Sequence, residues 1–361
     1  MYLALILSAL VRVSSAFAAK RASGCTATIN SLDDVDSASD CTTVEINGFT
    51  VPGGQGFELD LADGTTVNLN GDILFGNKSG RDRGNDITFN GNGFNFDGGG
   101  PFYWDGLGSN GGVTKPRPMM KIKISGTFSN VNVVSSPAQT FSVSNAGPLF
   151  ISGVNIDNSQ GDQPNENSDG DPAGHNADGF DDASATDLTI EKSIVENQDD
   201  CLAINRGSNI VFTGNTCSGG HGISVGSISS DVTVNGIVIT DNTITDNDQA
   251  VRIKMDADAS DSTVANISYS GNKATGMRRF GVLIDQSYPD KLGTPRTGVI
   301  VSDVSFVGDM NTIDVADDAV RVAVNCGDGA CQGTWDWSSL SVTGGNDSEL
   351  TGCDDISEGT F

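Results

Sequence analysis

The chain has 361 residues, of which 37% are hydrophobic, and it carries a formal net charge of −27 at pH 7 with only 20 Lys and Arg. This length and apolar content are sufficient for a large hydrophobic core, and the 46 glycines indicate many turns rather than long helices. The negative charge argues against nucleic acid as a partner, because nucleic-acid binding depends on basic clusters that neutralise phosphates.

The first 19 residues predict a secretory signal peptide. A short apolar run, Leu3–Val11, precedes the small-residue cleavage pattern at 16–18. The pair Lys20-Arg21 resembles a dibasic processing site, which would add a short pro-segment ending at residue 21. No later segment approaches the ~20 apolar residues that span a bilayer. We therefore expect a secreted, extracellular protein with no membrane partner and one mature domain, residues 22–361.

The 7 cysteines agree with secretion, since disulfides persist in oxidising compartments. Local spacing predicts three pairs, although the sequence alone permits other connectivities, and Cys353 lies outside these pairs. Three glycosylation acceptor patterns, at Asn77, Asn266 and Asn346, also predict a secreted glycoprotein. The predicted disulfides are Cys25/Cys41, Cys201/Cys217 and Cys326/Cys331.

Short apolar strands recur along the chain in units of roughly 20 to 30 residues, which is typical of a β-solenoid. Each is followed by a turn rich in Gly, Asn or Asp. A β-sandwich also has short strands and frequent turns, but the regular spacing of the motifs favours the solenoid. We predict an all-β, single-domain right-handed parallel β-helix, with Gly98–Pro118 as a long loop and Ser159–Asn176 as a loop bordering a cleft. The recurring strands include Cys201–Ile204, Gly222–Val225, Ala250–Ile253 and Gly281–Ile284.

Charged residues recur at the interval of one coil. Asp178 and Asp199 are separated by 21 residues, and so are Asp200 and His221. In a solenoid, groups one coil apart stack as neighbours, so these side chains should converge. A single Asp is usually a turn residue, but crowded carboxylates cannot all ionise, and one can then act as a general acid while another polarises water.

Two geometric conditions follow from strand alternation. Because Asp199 and Asp200 are consecutive, both can reach one site only at a turn or bulge. Arg252 and Lys254 should share one face, roughly 6 to 7 Å apart along the strand. Such a pair suits a ligand carboxylate. An isolated pair would more often be solvated surface charge, and its alignment with the aspartates favours binding.

His221 lies between two glycines, which would let the backbone approach a ligand closely. Its imidazole could hold a carboxylate or a substrate hydroxyl. Metal binding is disfavoured, because His175 is the only other histidine and the cysteines are better used in disulfides. We predict no metal and no cofactor.

Four motifs in this order resemble the polygalacturonases of glycoside hydrolase family 28, especially the secreted fungal endo-acting members. They are Asn176-Ala177-Asp178, Asp199-Asp200, Gly220-His221-Gly222 and Arg252-Ile253-Lys254. The resemblance extends over nearly the whole mature chain and departs from the family pattern at Ala177, where Thr is usual.

This resemblance implies a right-handed parallel β-helix that hydrolyses α-1,4 bonds of polygalacturonate or pectin with inversion and without a metal. Asp199 would be the general acid, and Asp178 and Asp200 would activate water. His221 would orient the substrate or tune the acid.

The resemblance also implies substrate-binding residues. Arg252 and Lys254 would bind a galacturonate carboxylate, Tyr288 would contact substrate, and Asn176 would support the first aspartate and contact substrate. We expect a monomer.

Other functions remain open from the sequence. A pectate lyase would need Ca²⁺, while an exopolygalacturonase or a rhamnogalacturonan hydrolase would share the fold. A non-catalytic glycan-binding β-solenoid would not need the three aspartates together.

Overall fold

The computed structural model describes residues 23–76, 80–353, 356–357 and 359–361. The predicted signal peptide, the pro-segment and the acceptor pattern at Asn77 lie outside the described residues. No helix in the described ranges is both long enough and apolar enough to cross a membrane.

Short strands account for nearly all of the regular structure. One α-helix, α1, covers Val35–Ala38, and 3₁₀ turns cover Leu32–Asp34, Gly100–Phe102 and Ser159–Asp162. The strands in chain order are β1 Ser23–Ile29, β2 Cys41–Ile46, β3 Phe49–Thr50, β4 Glu58–Asp60, β5 Thr66–Leu69, β6 Ile73–Leu74, β7 Gly80–Asn90, β8 Asn95–Asp97, β9 Met120–Ser129, β10 Asn132–Val134, β11 Phe141–Val143, β12 Leu149–Ser152, β13 Asn155–Asp157, β14 Phe180–Asp182, β15 Ala185–Glu191, β16 Ile194–Glu196, β17 Asp200–Ile204, β18 Gly207–Thr213, β19 Thr216–Ser218, β20 Gly222–Ile228, β21 Thr233–Thr240, β22 Thr243–Thr245, β23 Gln249–Asp256, β24 Ser262–Ser270, β25 Lys273–Met277, β26 Phe280–Tyr288, β27 Val299–Phe306, β28 Asn311–Asn325, β29 Cys331–Gln332, β30 Trp335–Asp336, β31 Leu340–Asn346, β32 Glu349–Thr351 and β33 Ile356–Ser357.

Every strand pairs in parallel with the corresponding strand of the next coil, which produces three sheets along the molecule. Sheet A runs through β11, β14, β17, β20, β23 and β26. Sheet B runs through β12, β15, β18, β21, β24 and β27. Sheet C runs through β10, β13, β16, β19, β22 and β25. This parallel, coil-to-coil pairing confirms the predicted right-handed parallel β-helix and excludes the sandwich.

The core consists of inward side chains stacked from coil to coil. Phe89 stacks on Phe128 and Phe141 stacks on Phe180, with ring centroids 4.8 and 5.5 Å apart. An edge-to-face contact between Phe128 and Phe141, at 5.8 Å, joins the two stacked pairs into one aromatic column. Parallel register brings equivalent positions of successive coils together, so large rings stack on large rings. This apolar column supports the strands that carry the polar residues of sheet A.

A ladder of buried asparagines fixes one corner of the coils. The side-chain oxygen of Asn242 accepts from the backbone N–H of Asn215 at 2.9 Å, and that of Asn272 accepts from the backbone N–H of Asn242 at 3.2 Å. The Asn242 amide also donates to the Phe212 carbonyl at 3.0 Å. Each amide therefore satisfies backbone groups that the turn leaves without strand partners, which is needed because buried polar groups are costly when unpaired.

The structure joins the three predicted cysteine pairs. Their Cα atoms are 4.8 Å apart for Cys25–Cys41, 5.8 Å for Cys201–Cys217 and 6.0 Å for Cys326–Cys331. Cys353 is buried. The second bond links β17 to β19 within one coil, directly beside Asp200.

Replacement of a ladder asparagine should destabilise the fold. Asn242→Ala leaves the Asn215 N–H and the Phe212 carbonyl buried without their partner, so we expect the free energy of unfolding to fall by about 2 kcal/mol or more. Asn70→Ala is the matched control, because Asn70 is exposed and donates to Glu45 on the surface. Denaturant titration measures both variants. Equal stability of the two would contradict a structural role for the ladder.

Candidate active site

The sequence motifs converge on successive strands of sheet A. Three of the predicted side chains stack at the N-terminal ends of neighbouring strands. Asp199 and His221 immediately precede β17 and β20, and Asp178 lies two residues before β14. Arg252 and Lys254 lie within the next strand, β23. One wall of the β-helix therefore carries carboxylates, an imidazole and two cations.

A bulge lets both consecutive aspartates reach this wall. The register between β17 and β20 shifts between Asp200 and Leu202, and the backbone N–H of Asp200 donates to the Asp199 carboxylate at 2.8 Å. The sequence predicted that two consecutive aspartates can reach one site only at a turn or bulge, and this register shift is such a bulge.

Asp200 is the anchor of the cluster. Its carboxylate binds Arg252 at 2.6 Å and Lys254 at 2.7 Å, and it accepts from the Ser224 hydroxyl at 2.7 Å. Although burial opposes ionisation, these two cations lower the pKa of Asp200. Val251 lies in the core, so the predicted alternation that places Arg252 and Lys254 on one face is confirmed.

Asp199 is held by an imidazole and an amide. His221 Nδ1 lies 2.9 Å from one of its oxygens, and the Asn176 amide donates to the other at 2.9 Å. Burial would raise the pKa of Asp199, but the His221 hydrogen bond and the charges of His221, Lys254 and Arg252 lower it well below its usual value. Burial likewise opposes the imidazolium, but Asp199 outweighs it and raises the pKa of His221.

Asn176 supports a different aspartate from the one expected. The sequence placed it beside Asp178, whereas its amide binds Asp199 and its oxygen accepts from the Ser109 N–H and hydroxyl, both at 3.0 Å. The contact with Ser109 ties the predicted loop 98–118 to the cluster. Ala177 is fully buried.

Asp178 is a carboxyl of the cluster that resists ionisation. Burial, followed by the charges of Asp199, Asp181 and Asp200, raises its pKa well above the usual value. Among the described residues its Oδ1 has no hydrogen-bond partner. Asp178 therefore keeps a proton at pH values where Asp199 and Asp200 are ionised.

Asp181 belongs to this cluster and was missed from the sequence. Its side chain bonds to Asp178, and burial, followed by repulsion from Asp200 and Asp199, raises the pKa of Asp181 to about 7. Strand alternation contained the signal, because Phe180 points into the core on β14 and the next residue must point away from it.

The glycines beside His221 serve the packing of the coils. A Cβ at Gly220 would overlap the carbonyl oxygen of Asp199, and a Cβ at Gly222 would overlap that of Gln249. Gly222 also has a φ of 84°, which favours glycine. The sequence suggested that these glycines let the backbone approach a ligand. In the structure they instead allow the backbones of neighbouring coils to approach each other closely.

The donor set does not suit a metal ion. Asp199, Asp200 and His221 offer ligand atoms within 4.8 Å of one another. However, both oxygens of Asp200 already bind cationic side chains, and Arg252 and Lys254 would repel a further cation. The positive charge that a metal would supply comes from the protein.

Two cavities open beside His221. One, of about 370 Å³, contains Asp199, Arg252, Lys254 and Tyr288, and the Lys254 ammonium lies 5.4 Å from the centre of the Tyr288 ring. The other, of about 690 Å³, is walled partly by segment 162–175. The loop predicted to border a cleft therefore does so.

Comparison with known proteins agrees with this geometry. Residues 41–360 match the family described as Glycosyl hydrolases family 28. The chain is 41% identical over 352 residues to the probable endopolygalacturonase A of Aspergillus fumigatus, covering 94% of this chain and 91% of that protein. It is 38% identical over 354 residues to endopolygalacturonase I of Aspergillus niger, covering 94% and 92%.

A solved structure is similar over almost the same range. Endopolygalacturonase I from Stereum purpureum, in complex with two galacturonates, has a TM-score of 0.86 and 44% identity, over 92% of this chain and 98% of that chain. The family match over residues 41–360 includes every residue of the cluster around Asp200. The chain belongs to glycosyl hydrolase family 28.

Proposed function

We propose that this chain is an endopolygalacturonase that hydrolyses α-1,4-D-galacturonosidic bonds within polygalacturonate or pectin. The observation that carries the proposal is the Arg252–Asp200–Lys254 cluster, which holds two cations in one cavity with the Asp199 carboxyl and close enough to Asp178 for Lys254 and Asp199 to act on its ionisation. Cations suit the carboxylate of a uronic acid, and paired carboxyls suit hydrolysis of its glycosidic bond. The relatives from A. fumigatus, A. niger and S. purpureum are all named endopolygalacturonases, which supports the same substrate and the endo mode for this chain.

Substrate binding is assigned to the cationic cavity. Arg252 and Lys254 each have donors besides those bound to Asp200, since Arg has five N–H groups and Lys three. These donors and the half-buried Tyr288 bind the galacturonate unit next to the scissile bond. Asn176 positions Asp199 and meets the substrate at the loop that it shares with Ser109.

Asp199 is assigned as the general acid, although it is ionised in the free protein. A galacturonate carboxylate placed against Arg252 and Lys254 offsets the charges that hold the pKa of Asp199 low. Asp178 feels those cations less, so substrate binding raises the pKa of Asp199 more than that of Asp178. The proton retained by the cluster then passes to Asp199, which protonates the leaving oxygen.

Asp178 is assigned as the base that activates water after it has lost the proton. Its Oδ1 is buried and has no hydrogen-bond partner among the described residues, so no protein donor competes with the attacking water for this oxygen. Asp200 is fully buried and saturated by Arg252, Lys254 and Ser224, so its contribution to water activation is electrostatic. A single displacement by this water inverts the anomeric configuration.

The remaining assignments concern the whole protein. Residues 22–361 form the catalytic domain of a secreted monomer, and the exposed Asn266 and Asn346 are its candidate glycan acceptors. Mass measurement of protein secreted by a eukaryotic host, before and after deglycosylation, tests processing and glycan attachment together.

Product analysis on polygalacturonate tests the class, mode and stereochemistry. We expect a mixture of oligogalacturonates from the start, no ultraviolet-absorbing unsaturated ends, and a β-configured reducing end in freshly formed product by NMR. A chelator should leave the rate unchanged, because Arg252 and Lys254 supply the local positive charge. Unsaturated, chelator-sensitive products would indicate a lyase, monomer release alone an exo enzyme, and faster cleavage of rhamnogalacturonan the related hydrolase.

Removal of the proposed acid should abolish turnover without unfolding the protein. Asp199→Asn keeps the shape and can still bind Asn176 and His221, but it cannot protonate the leaving oxygen, so we expect kcat to fall by about 10²- to 10⁴-fold. Asp187→Asn, at an exposed position outside both cavities, is the matched control. Wild-type turnover in Asp199→Asn would remove this residue from the mechanism. Failure of the wild-type protein itself to cleave the polymer would instead favour a non-catalytic solenoid.

Activity should decline as the pH rises through neutrality. The pKa of Asp181 is raised to about 7, so above this pH Asp181 becomes ionised and adds negative charge beside Asp199, Asp200 and an anionic substrate. We expect kcat/KM to peak on the acid side of neutral. In Asp181→Asn this titration is absent, so the decline should begin at a higher pH, whereas Asp187→Asn should retain the wild-type profile. A wild-type maximum above neutral pH, or superimposable profiles, would contradict this.

A further inference from the structure

The two cavities beside His221 have opposite charge. Both are lined by His175 and His221, so they adjoin one another at the imidazole that holds Asp199. The smaller cavity, which we call the cationic cavity, is lined by Arg252, Lys254, Arg279, Lys291, Asp199 and Asp248. The larger one, the acidic cavity, is lined by Asp162, Asp171, Glu196, Asp246 and a single cation, Arg278.

The cations of the cationic cavity differ in how far the protein already neutralises them. Arg252 and Lys254 are buried and both are bound to Asp200. Arg279 is half exposed, and within the described ranges its one ion-pair partner is Asp248, at 3.1 Å. Lys291 is exposed and forms no ion pair with any described residue. Arg279 and Lys291 are therefore the cations most available to an incoming anion.

Asp248 does not cancel this positive charge. Its carboxylate is shared between Arg279 and Arg278, which bind its two oxygens at 3.1 and 3.0 Å. Two guanidinium groups on one carboxylate leave an excess of positive charge. The pKa of Lys291 agrees, because burial and then repulsion from Arg279 lower it.

The acidic cavity offers no comparable cation. Arg278 donates to Asp248, to the carbonyl of Asp246, and to the carbonyls of Gly219 and Gly220 at 2.9 and 3.1 Å. Its donors are thus engaged by the protein. Burial, followed by the charges of Asp157 and Asp162, raises the pKa of Glu196, which shows that this wall already carries crowded negative charge.

We propose that Arg279 and Lys291 are specificity-determining residues that bind a free galacturonate carboxylate in the cationic cavity, on one side of the scissile bond. The acidic cavity, on the other side, accepts a galacturonate whose carboxyl is methyl-esterified. The proposal rests on the proposed hydrolysis of polygalacturonate. Selectivity for the free acid is thereby assigned to one side of the scissile bond. On partially methyl-esterified galacturonan, the enzyme therefore tolerates a methyl ester on one side of the bond that it cleaves and selects against it on the other.

Neutral substitutions test the two cations. In Arg279→Gln/Lys291→Gln we expect KM on fully de-esterified polygalacturonate to rise about tenfold, because charged hydrogen bonds are lost, while kcat changes less than about twofold. The salt dependence of KM should weaken, since two exposed charges no longer attract the polyanion. Lys273→Gln is the control, because Lys273 is an exposed cation outside both cavities. An unchanged KM in the double variant would overturn the proposal.

The positions of methyl esters in the products test the asymmetry. With partially methyl-esterified galacturonan, mass spectrometry of wild-type products should find esters depleted at one of the two new chain ends and tolerated at the other. The double variant should reduce that depletion, and Lys273→Gln should preserve it. Equal ester frequencies at both new ends of wild-type products would overturn the one-sided selectivity.

A binding measurement separates this inference from the proposed function. Tetragalacturonate is titrated into the wild-type protein and into the double variant, with no turnover required. Weaker binding by the double variant supports the anion site even if the wild-type protein hydrolyses nothing, in which case only the proposed function fails. Equal binding, with active wild-type enzyme, overturns the anion site alone.

Discussion

The buried carboxylate of Asp200 is the interaction on which the site depends. It joins three coils, because Ser224 lies on the next coil and Arg252 and Lys254 lie on the one after, 52 and 54 residues further along the chain. Two cations could not lie buried side by side without it, and the carboxylate could not be buried without them. The triad therefore holds positive charge at a fixed depth in the wall of an otherwise acidic protein, close to Asp199 and Asp178.

This arrangement sets the ionisation of the other carboxyls. Asp199 lies near the cations and His221, which stabilise its charged form, whereas Asp178 and Asp181 are desolvated among other carboxyls and are held in their protonated forms at mildly acid pH. The difference arises from position rather than residue type, since all are aspartates. It also makes the site responsive to an anionic ligand, because a carboxylate bound at Arg252 and Lys254 changes the charge that Asp199 experiences.

The repeating coils of the β-helix fix the positions of the charged side chains in the site. Parallel pairing places equivalent positions of successive coils in columns, and the buried asparagine ladder and the aromatic column keep those columns aligned. Loops inserted between strands, such as 98–118 and 159–176, contribute residues to the two cavities beside this wall. His221 lines both the acidic and the cationic cavity, so the charge of the cavity-lining side chains changes from negative to positive at this residue.

The sequence by itself determined the repeat, the parallel fold, and the convergence of Asp178, Asp199, Asp200, His221, Arg252 and Lys254, because coil spacing and strand alternation are periodic and can be read along the chain. It indicated the disulfide pairs but left other connectivities open. It also required the bulge at Asp199 and Asp200. Only the tertiary structure decided that Asn176 holds Asp199, that the glycines around His221 admit neighbouring backbone, and that Arg279 and Lys291 face the cavity. These features depend on burial and on contacts between loops and coils of unequal length, for which the sequence contains no fixed period.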